Sequence, residues 1–178
     1  MENTQNKLVN RVAESGLITL NLEDYFPDTT FAHFDIKDYL FMELILKEKD
    51  FREAMKQYDW ASLEGKTLLL YCSNDAIIPT WAYMLVTTNA QAYVNDIFQG
   101  SEQEYYRYKM KKIIEDIDFS KFDKKRIVVK GCGKKPVPIA AYIEITRGLK
   151  PFAQSIMYGE PCSTVQIFKR PREINKPE

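Results

Sequence analysis

The reactive side chains of this 178-residue chain are few: three cysteines, Cys72, Cys132 and Cys162, and a single histidine, His33. A thiolate is a nucleophile, a redox centre and the ligand that zinc and iron-sulfur clusters prefer. Cys72 closes the run Leu68-Leu69-Leu70-Tyr71-Cys72, Cys132 closes Val128-Val129-Lys130-Gly131-Cys132, and Cys162 follows Gly159-Glu160-Pro161. The first two thiols therefore sit at the carboxyl ends of strand-like segments, in loops that feed helices opening after Pro79 and Pro138. That rim is where open α/β sheets hold ligands. A helix N-terminus depresses a thiol pKa, and Lys134 and Lys135 beside Cys132 push the same way, as groups that stabilise an anion or thiolate. Three thiolates are one short of a closed tetrahedral site. The fourth ligand would be water, substrate, Asp75 or a partner's residue, with Asn74 and Ser163 as further polar groups at the same rim. The plainer reading is three thiols buried at strand ends.

Other constellations carry less. His33 lies in Phe-Ala-His-Phe between turn-like segments and reads as a partly exposed loop residue before it reads as a ligand. Gly131-Cys132-Gly133-Lys134-Lys135 lacks the spacing of a phosphate loop. The 25 basic and 25 acidic residues cancel. They are unevenly placed: Ser120 to Glu178 holds 13 basic and 5 acidic residues, and the preceding part carries the opposite excess. Without interleaved stacking aromatics, this basic third does not read as a nucleic-acid platform. No apolar run reaches the ~18 residues of a membrane helix, and no apolar signal segment follows the N-terminus. The expectation is a cytoplasmic protein, outside the membrane, with reduced cysteines.

The elements that must position the thiols follow from periodicity and punctuation. Strands are expected over Leu17–Leu22, Thr67–Tyr71, Tyr93–Phe98, Arg126–Lys130, Phe152–Tyr158 and Thr164–Phe168. Helices are expected from Phe51 to Tyr58 behind an Asp50 cap, from Pro79 to about Asn89, from Glu102 to about Ile117, and from Pro138 to about Arg147. The long helix would turn Tyr106, Met110, Ile113 and Ile117 to a core. An internal repeat links the two cysteine loops. Pro79 to Gly100 and Pro138 to Gly159 are both 21 residues apart, with Ala82, Tyr83, Thr87 and Ile97 recurring as Ala141, Tyr142, Thr146 and Ile156. Duplication would give this, and so would the composition that any two βαβ units share. The expected fold is α/β: a three-layer single domain, 1–178, with a mainly parallel sheet built from two βαβ repeats. Residues 66–170 would form the core, 7–65 a helical and strand extension packed on the sheet, and 171–178 a mobile tail, with residues 1–6 mobile as well.

Several segments together resemble a known family. They are Asn10-Arg11-Val12-Ala13, Ser15-Gly16-Leu17, Phe34 to Asp38, Glu48 to Glu53, Cys72-Ser73-x-Asp75-Ala76-Ile77-x-Pro79-Thr80-Trp81-Ala82-Tyr83, Val128 to Cys132 and Gly159 to Val165. They look like the bacterial family called domain of unknown function 2480, over about Asn10 to Arg170. The resemblance supplies no established activity. It implies that the three cysteine motifs belong to a shared pattern, that His33 does not, and, through iron-sulfur assembly genes near relatives, a link to clusters. The leading expectation is thus a protein binding zinc or an iron-sulfur cluster through Cys72, Cys132 and Cys162, as an accessory in cluster or metal handling. The alternatives are a thiol-dependent enzyme with Cys132 as nucleophile or redox thiol, and a non-catalytic homodimeric interaction module that engages a protein partner.

Overall fold

Two buried strands set the architecture. Thr67–Tyr71 (β5) and Arg126–Lys130 (β7) are short, almost uninterrupted apolar runs, the pattern of a central strand covered on both faces. In the computed structural model, which describes residues 16–171, each is the middle of its own parallel sheet. β5 lies between Phe31–Asp35 (β2) and Asp96–Gln99 (β6), and β7 lies between Leu17–Asn21 (β1) and Ser155–Glu160 (β8). Ser163–Lys169 (β9) adds an antiparallel edge to β8. Leu40–Phe41 (β3) and Ile45–Leu46 (β4) form a small hairpin of their own. The helices are Glu48–Gln57 (α1), Thr80–Ala90 (α2), Glu102–Glu115 (α3) and Ile139–Leu149 (α4). None of the helices described is long and apolar enough to cross a membrane.

The fold is α/β, with the parallel strands divided between two sheets rather than merged in one. The chain separates into an inserted unit, Pro27–Tyr106, and a split unit made of Met1–Phe26 and Arg107–Glu178. The stretch expected to be an extension supplies strands to both sheets, β1 to one and β2 to the other. β2 was not expected. Its alternating buried Ala32 and Phe34 mark a strand, and the flanking turn-prone residues obscure it at the sequence level. His33 is accordingly a strand residue and not a loop residue. Helix α1 begins at Glu48, so Asp50 lies in its first turn instead of capping it. Helix α3 buries Tyr105, Met110 and Ile114, a stripe offset from the one expected. Of the expected mobile ends, 1–6 and 171–178, all but Pro171 lie outside the described residues.

The repeat is explicit in structure. Helices α2 and α4, beginning at Thr80 and Ile139, bury Ala82, Val86 and Ala90 in one unit and Ala141, Ile145 and Leu149 in the other, an i, i+4, i+8 stripe. In register, Phe31, Thr67 and Asp96 line up across one sheet as Leu17, Arg126 and Ser155 do across the other. Each first strand runs into a 3-10 turn, Ile36–Tyr39 or Leu22–Tyr25, and each central strand is preceded by another, Trp60–Leu63 or Phe119–Phe122. The two cores are separate clusters. One is built around Phe51, Trp60 and Leu68, the other around Met110, Ile127 and Leu149. Each fully buried Leu, Ile or Phe of this kind stabilises a fold by about 1.5–3 kcal/mol relative to leaving it exposed. Both rims are thereby held on rigid strands.

Candidate functional site

In the split unit, β7 ends at Lys130 and the loop Gly131–Pro138 leads into α4. Gly131 is needed for the close approach. A Cβ there would lie 2.9 Å from both Leu22 Cβ and the Tyr142 hydroxyl, with the backbone at a φ of +156°. The exposed Cys132 follows at once, at a cleft of about 570 Å³. Its walls come from the loop (Lys135 and Val137), from α4 (Ile139 and Tyr142) and from the sheet (Tyr158 and Ile167). The lining is mostly apolar and carries a few polar groups near the thiol, the usual make-up of a small-molecule site.

Two tyrosines frame the sulfur. Tyr158 lines the same cleft, and its neighbour Cys132, more than any desolvation, holds its phenol above the ordinary tyrosine range. Tyr142 meets Tyr158 edge to face, with ring centroids 5.9 Å apart. Burial, followed by the neighbouring Tyr158, Cys132 and Glu23, pushes its pKa up to about 12. Both phenols therefore keep their protons, and their ability to donate, throughout the neutral range.

Glu23 fixes the loop from below. Buried Leu22 anchors the 3-10 turn that carries it, and the Asn21 side chain caps that turn by accepting from Glu23 N–H at 3.3 Å. The Glu23 carboxylate accepts from the backbone N–H of Gly133 and, at 2.9 Å, from that of Lys134. A Cβ on Gly133 would sit 2.6 Å from the carboxylate oxygen, so the glycine makes room for it. Lys135 Nζ donates to the Glu23 carbonyl at 3.2 Å and lies over the Phe26 ring. The loop amides of Gly133 and Lys134, which follow Cys132 directly, are thus turned to Glu23, and Lys134 meets Glu23 through its backbone, not its ammonium.

The remaining sequence candidates fall in two places. Cys162 is exposed in the tight turn between β8 and β9, beside the paired Glu160 and Ser163, so it shares the carboxyl-end rim of the split unit with Cys132. Lys130 Nζ reaches Glu160 at 3.1 Å on the same rim. Cys72 belongs to the inserted unit. It is half-buried, and its thiol donates to the carbonyl of Asn74 at 3.5 Å. The Asn74 amide donates in turn to the carbonyl of Glu43 on the β3–β4 hairpin, and Asp75 is exposed. His33 Nε2 faces Glu102 Oε1 at 3.4 Å in a second cleft of that unit, with Tyr71 and Ser101. Among the described residues, no group of three or more His, Cys, Asp or Glu side chains is placed to hold a metal ion.

Glu23, Tyr142 as a site residue and Tyr158 are the positions that sequence reasoning missed. For Glu23 a signal was present. Asn21-Leu-Glu-Asp-Tyr and Asp35-Ile-Lys-Asp-Tyr are two copies of one capped turn, and recognising them would have placed both first strands. No curated protein and no solved structure matches the chain. The pattern of one family, described as Protein of unknown function (DUF2480), matches residues 6–170, nearly the whole length, and the chain belongs to that family.

Proposed function

We propose that this is a thiol-dependent protein in which Cys132 is the nucleophile toward a small, largely apolar electrophile bound in the cleft of the split unit. One observation carries the reading: an exposed thiol, with two tyrosines on the same walls, opens directly onto an apolar cavity large enough for a small molecule. The cleft supplies binding energy and orientation, which convert an encounter into a near-intramolecular attack. The tyrosines supply hydrogen-bond donors beside the sulfur, where charge changes during attack.

Competitive alkylation read by peptide mass spectrometry tests this. Cys132 and Cys162 are both exposed, so accessibility alone would label them alike. A cyclohexyl maleimide is expected to favour Cys132 over Cys162 by about tenfold more than ethyl maleimide does, because burial of the extra carbons is worth up to ~0.8 kcal/mol each. Equal ratios with the two reagents would remove the cleft from the reaction. The zinc or iron-sulfur reading, through Cys72, Cys132 and Cys162, remains a proposal with the opposite signature. Protein purified without oxygen would carry stoichiometric metal, and all three thiols would resist alkylation until a chelator is added.

A further inference from the structure

We infer that the cleft takes an acyl chain, delivered as the thioester of an anionic carrier, and that Cys132 receives the acyl group. The inference rests on the thiol reading above and names its substrate class. Its first support is the chemistry of the walls. Ile139 and Tyr142 of α4 line the cleft with Ile156, Tyr158 and Ile167 of the sheet, and Cys132 stands among its loop residues. A thiol on the wall of a mostly apolar cleft suits a molecule with one reactive end and an apolar body.

The second support is the choice of reaction. The cysteine sulfur attacks the acyl carbon, a new sulfur–carbon bond forms, the old one breaks, and the thiol proton ends on the departing carrier sulfur. Nothing is oxidised or reduced. Exchange of one thioester for another leaves the bond energies nearly unchanged, whereas taking an acyl group from an amide or oxygen ester would run uphill. Negative charge gathers on the acyl oxygen during attack, and donors fixed beside that oxygen lower the barrier. The Tyr158 and Tyr142 side chains line the same cleft as the attacking sulfur, and their rings pack edge to face. The third support is charge. Lys134 and Lys135 stand in the exposed loop beside the thiol, which complements a phosphate-bearing carrier left outside the cleft.

The test exposes the full chain to octanoyl-coenzyme A, acetyl-coenzyme A and octanoyl-N-acetylcysteamine, and follows acyl adducts by intact and peptide mass spectrometry. A hydroxylamine-labile octanoyl adduct is expected on Cys132, absent in Cys132→Ser, forming at least about tenfold faster than the acetyl adduct. Ile167→Asp, a change at a half-exposed wall position, should abolish that chain-length preference. Tyr142→Phe should slow acyl transfer about tenfold or more and slow alkylation of Cys132 by iodoacetamide far less, since displacement at a saturated carbon develops no oxyanion whereas attack on the acyl carbon does. Lys134→Glu should slow transfer from octanoyl-coenzyme A and spare octanoyl-N-acetylcysteamine. Absence of an acyl adduct, or equal octanoyl and acetyl rates, while cyclohexyl maleimide still selects Cys132, would overturn the acyl assignment and leave the thiol reading standing. Loss of maleimide selectivity would take both down.

Discussion

The two units share a scaffold and differ at the rim. In the inserted unit the loop after β5 places Cys72 where the split unit has Gly131, and its thiol is spent on the Asn74 carbonyl. In the split unit the cysteine comes one position later, and the glycine lets Tyr142 and Leu22 close in beneath it. After the third strand the chains part at equivalent glycines. Gly100 leads into α3, whereas Gly159 leads into the β8–β9 hairpin, which supplies a wall of the cleft. Tyr158 also has no counterpart, since the matching position of β6 is Gln99. A small cleft with an exposed thiol on its wall thus arises from changes confined to the loop and the edge strand. The layers beneath are conserved in plan between the units, and the strongest tests begin there.

The cores fill the same plan with different side chains. Where the split unit buries Leu149 and Ile145, the inserted unit has Ala90 and Val86, and the larger Trp60 and Phe51 stand where the split unit has Phe119 and Met110. If the volumes compensate, exchanging one partner alone must hurt. Leu149→Ala should cost about 2–5 kcal/mol through the cavity it leaves. Ala90→Leu should cost about 1–3 kcal/mol by overpacking. Urea denaturation of each variant reads both effects, and a neutral Ala90→Leu would show that the inserted core has slack.

Gly148 gives a sharper version at lower cost. A Cβ there would come within 2.2 Å of the Phe119 ring, yet the equivalent position in the inserted unit is Asn89, whose amide donates to the Leu85 carbonyl at 2.7 Å. Gly148→Ala should lose about 1–3 kcal/mol, and pairing it with Phe119→Leu should recover part of that loss as ring and methyl no longer compete. Strict additivity of the two changes would mean that the ring contact is not what forbids a side chain.

The carboxylates that organise the loops differ as well. Asp35 accepts from the backbone N–H of Lys37 and Ser73, each at 3.0 Å. Its slight burial would raise its pKa, but the hydrogen bonds to Ser73 and Lys37 outweigh this and hold it below the usual 3.8. A depressed folded-state pKa contributes stability above the unfolded value and loses it as pH falls through the folded one. Asp35→Asn should therefore flatten the stability profile below about pH 4 and leave Cys132 alkylation unchanged. Glu23→Gln, in the split unit, should do the converse. It frees the Gly133 and Lys134 amides from a charged acceptor, and Cys132 alkylation should change by severalfold. Identical alkylation rates in the two variants would show that Glu23 has no hold on the thiol.

Much of this was legible in the sequence for physical reasons. β5 and β7 are apolar on both faces, and Pro79 and Pro138 punctuate equivalent helices, so the parallel α/β plan and the cysteine-bearing loops follow directly. The division into two sheets was hidden because β1 and β2 are edge strands of five residues whose partners lie far along the chain. Helix periodicity located α3, but its burial changes face along its length, from Tyr105 to Met110 and Ile114, and no single stripe describes it. Tyr158 was silent because its significance depends on register, and for Glu23 the capped turn was legible while its contact 110 residues distant was not, since local pattern does not encode it.

The smallest expected effect concerns one backbone position present in both units. Gly65 and Lys124 precede their central strands by two residues, adopt φ of +73° and +56°, and donate N–H to the carbonyls of Tyr93 and Phe152 at 3.3 and 3.0 Å. A side chain in this left-handed region costs about 1–2 kcal/mol, partly offset by the greater freedom glycine has when unfolded. Nothing lies within 4 Å of a Cβ placed on Gly65, so the cost of Gly65→Ala is purely conformational, near 1 kcal/mol of lost stability. Lys124→Gly should gain about 0.5–1 kcal/mol for the same reason with the sign reversed. Opposite shifts in the urea midpoint would confirm that the turns are equivalent in energy as well as in shape. A loss of stability in Lys124→Gly would instead assign the lysine side chain a favourable role in the split unit that its exposed position does not reveal.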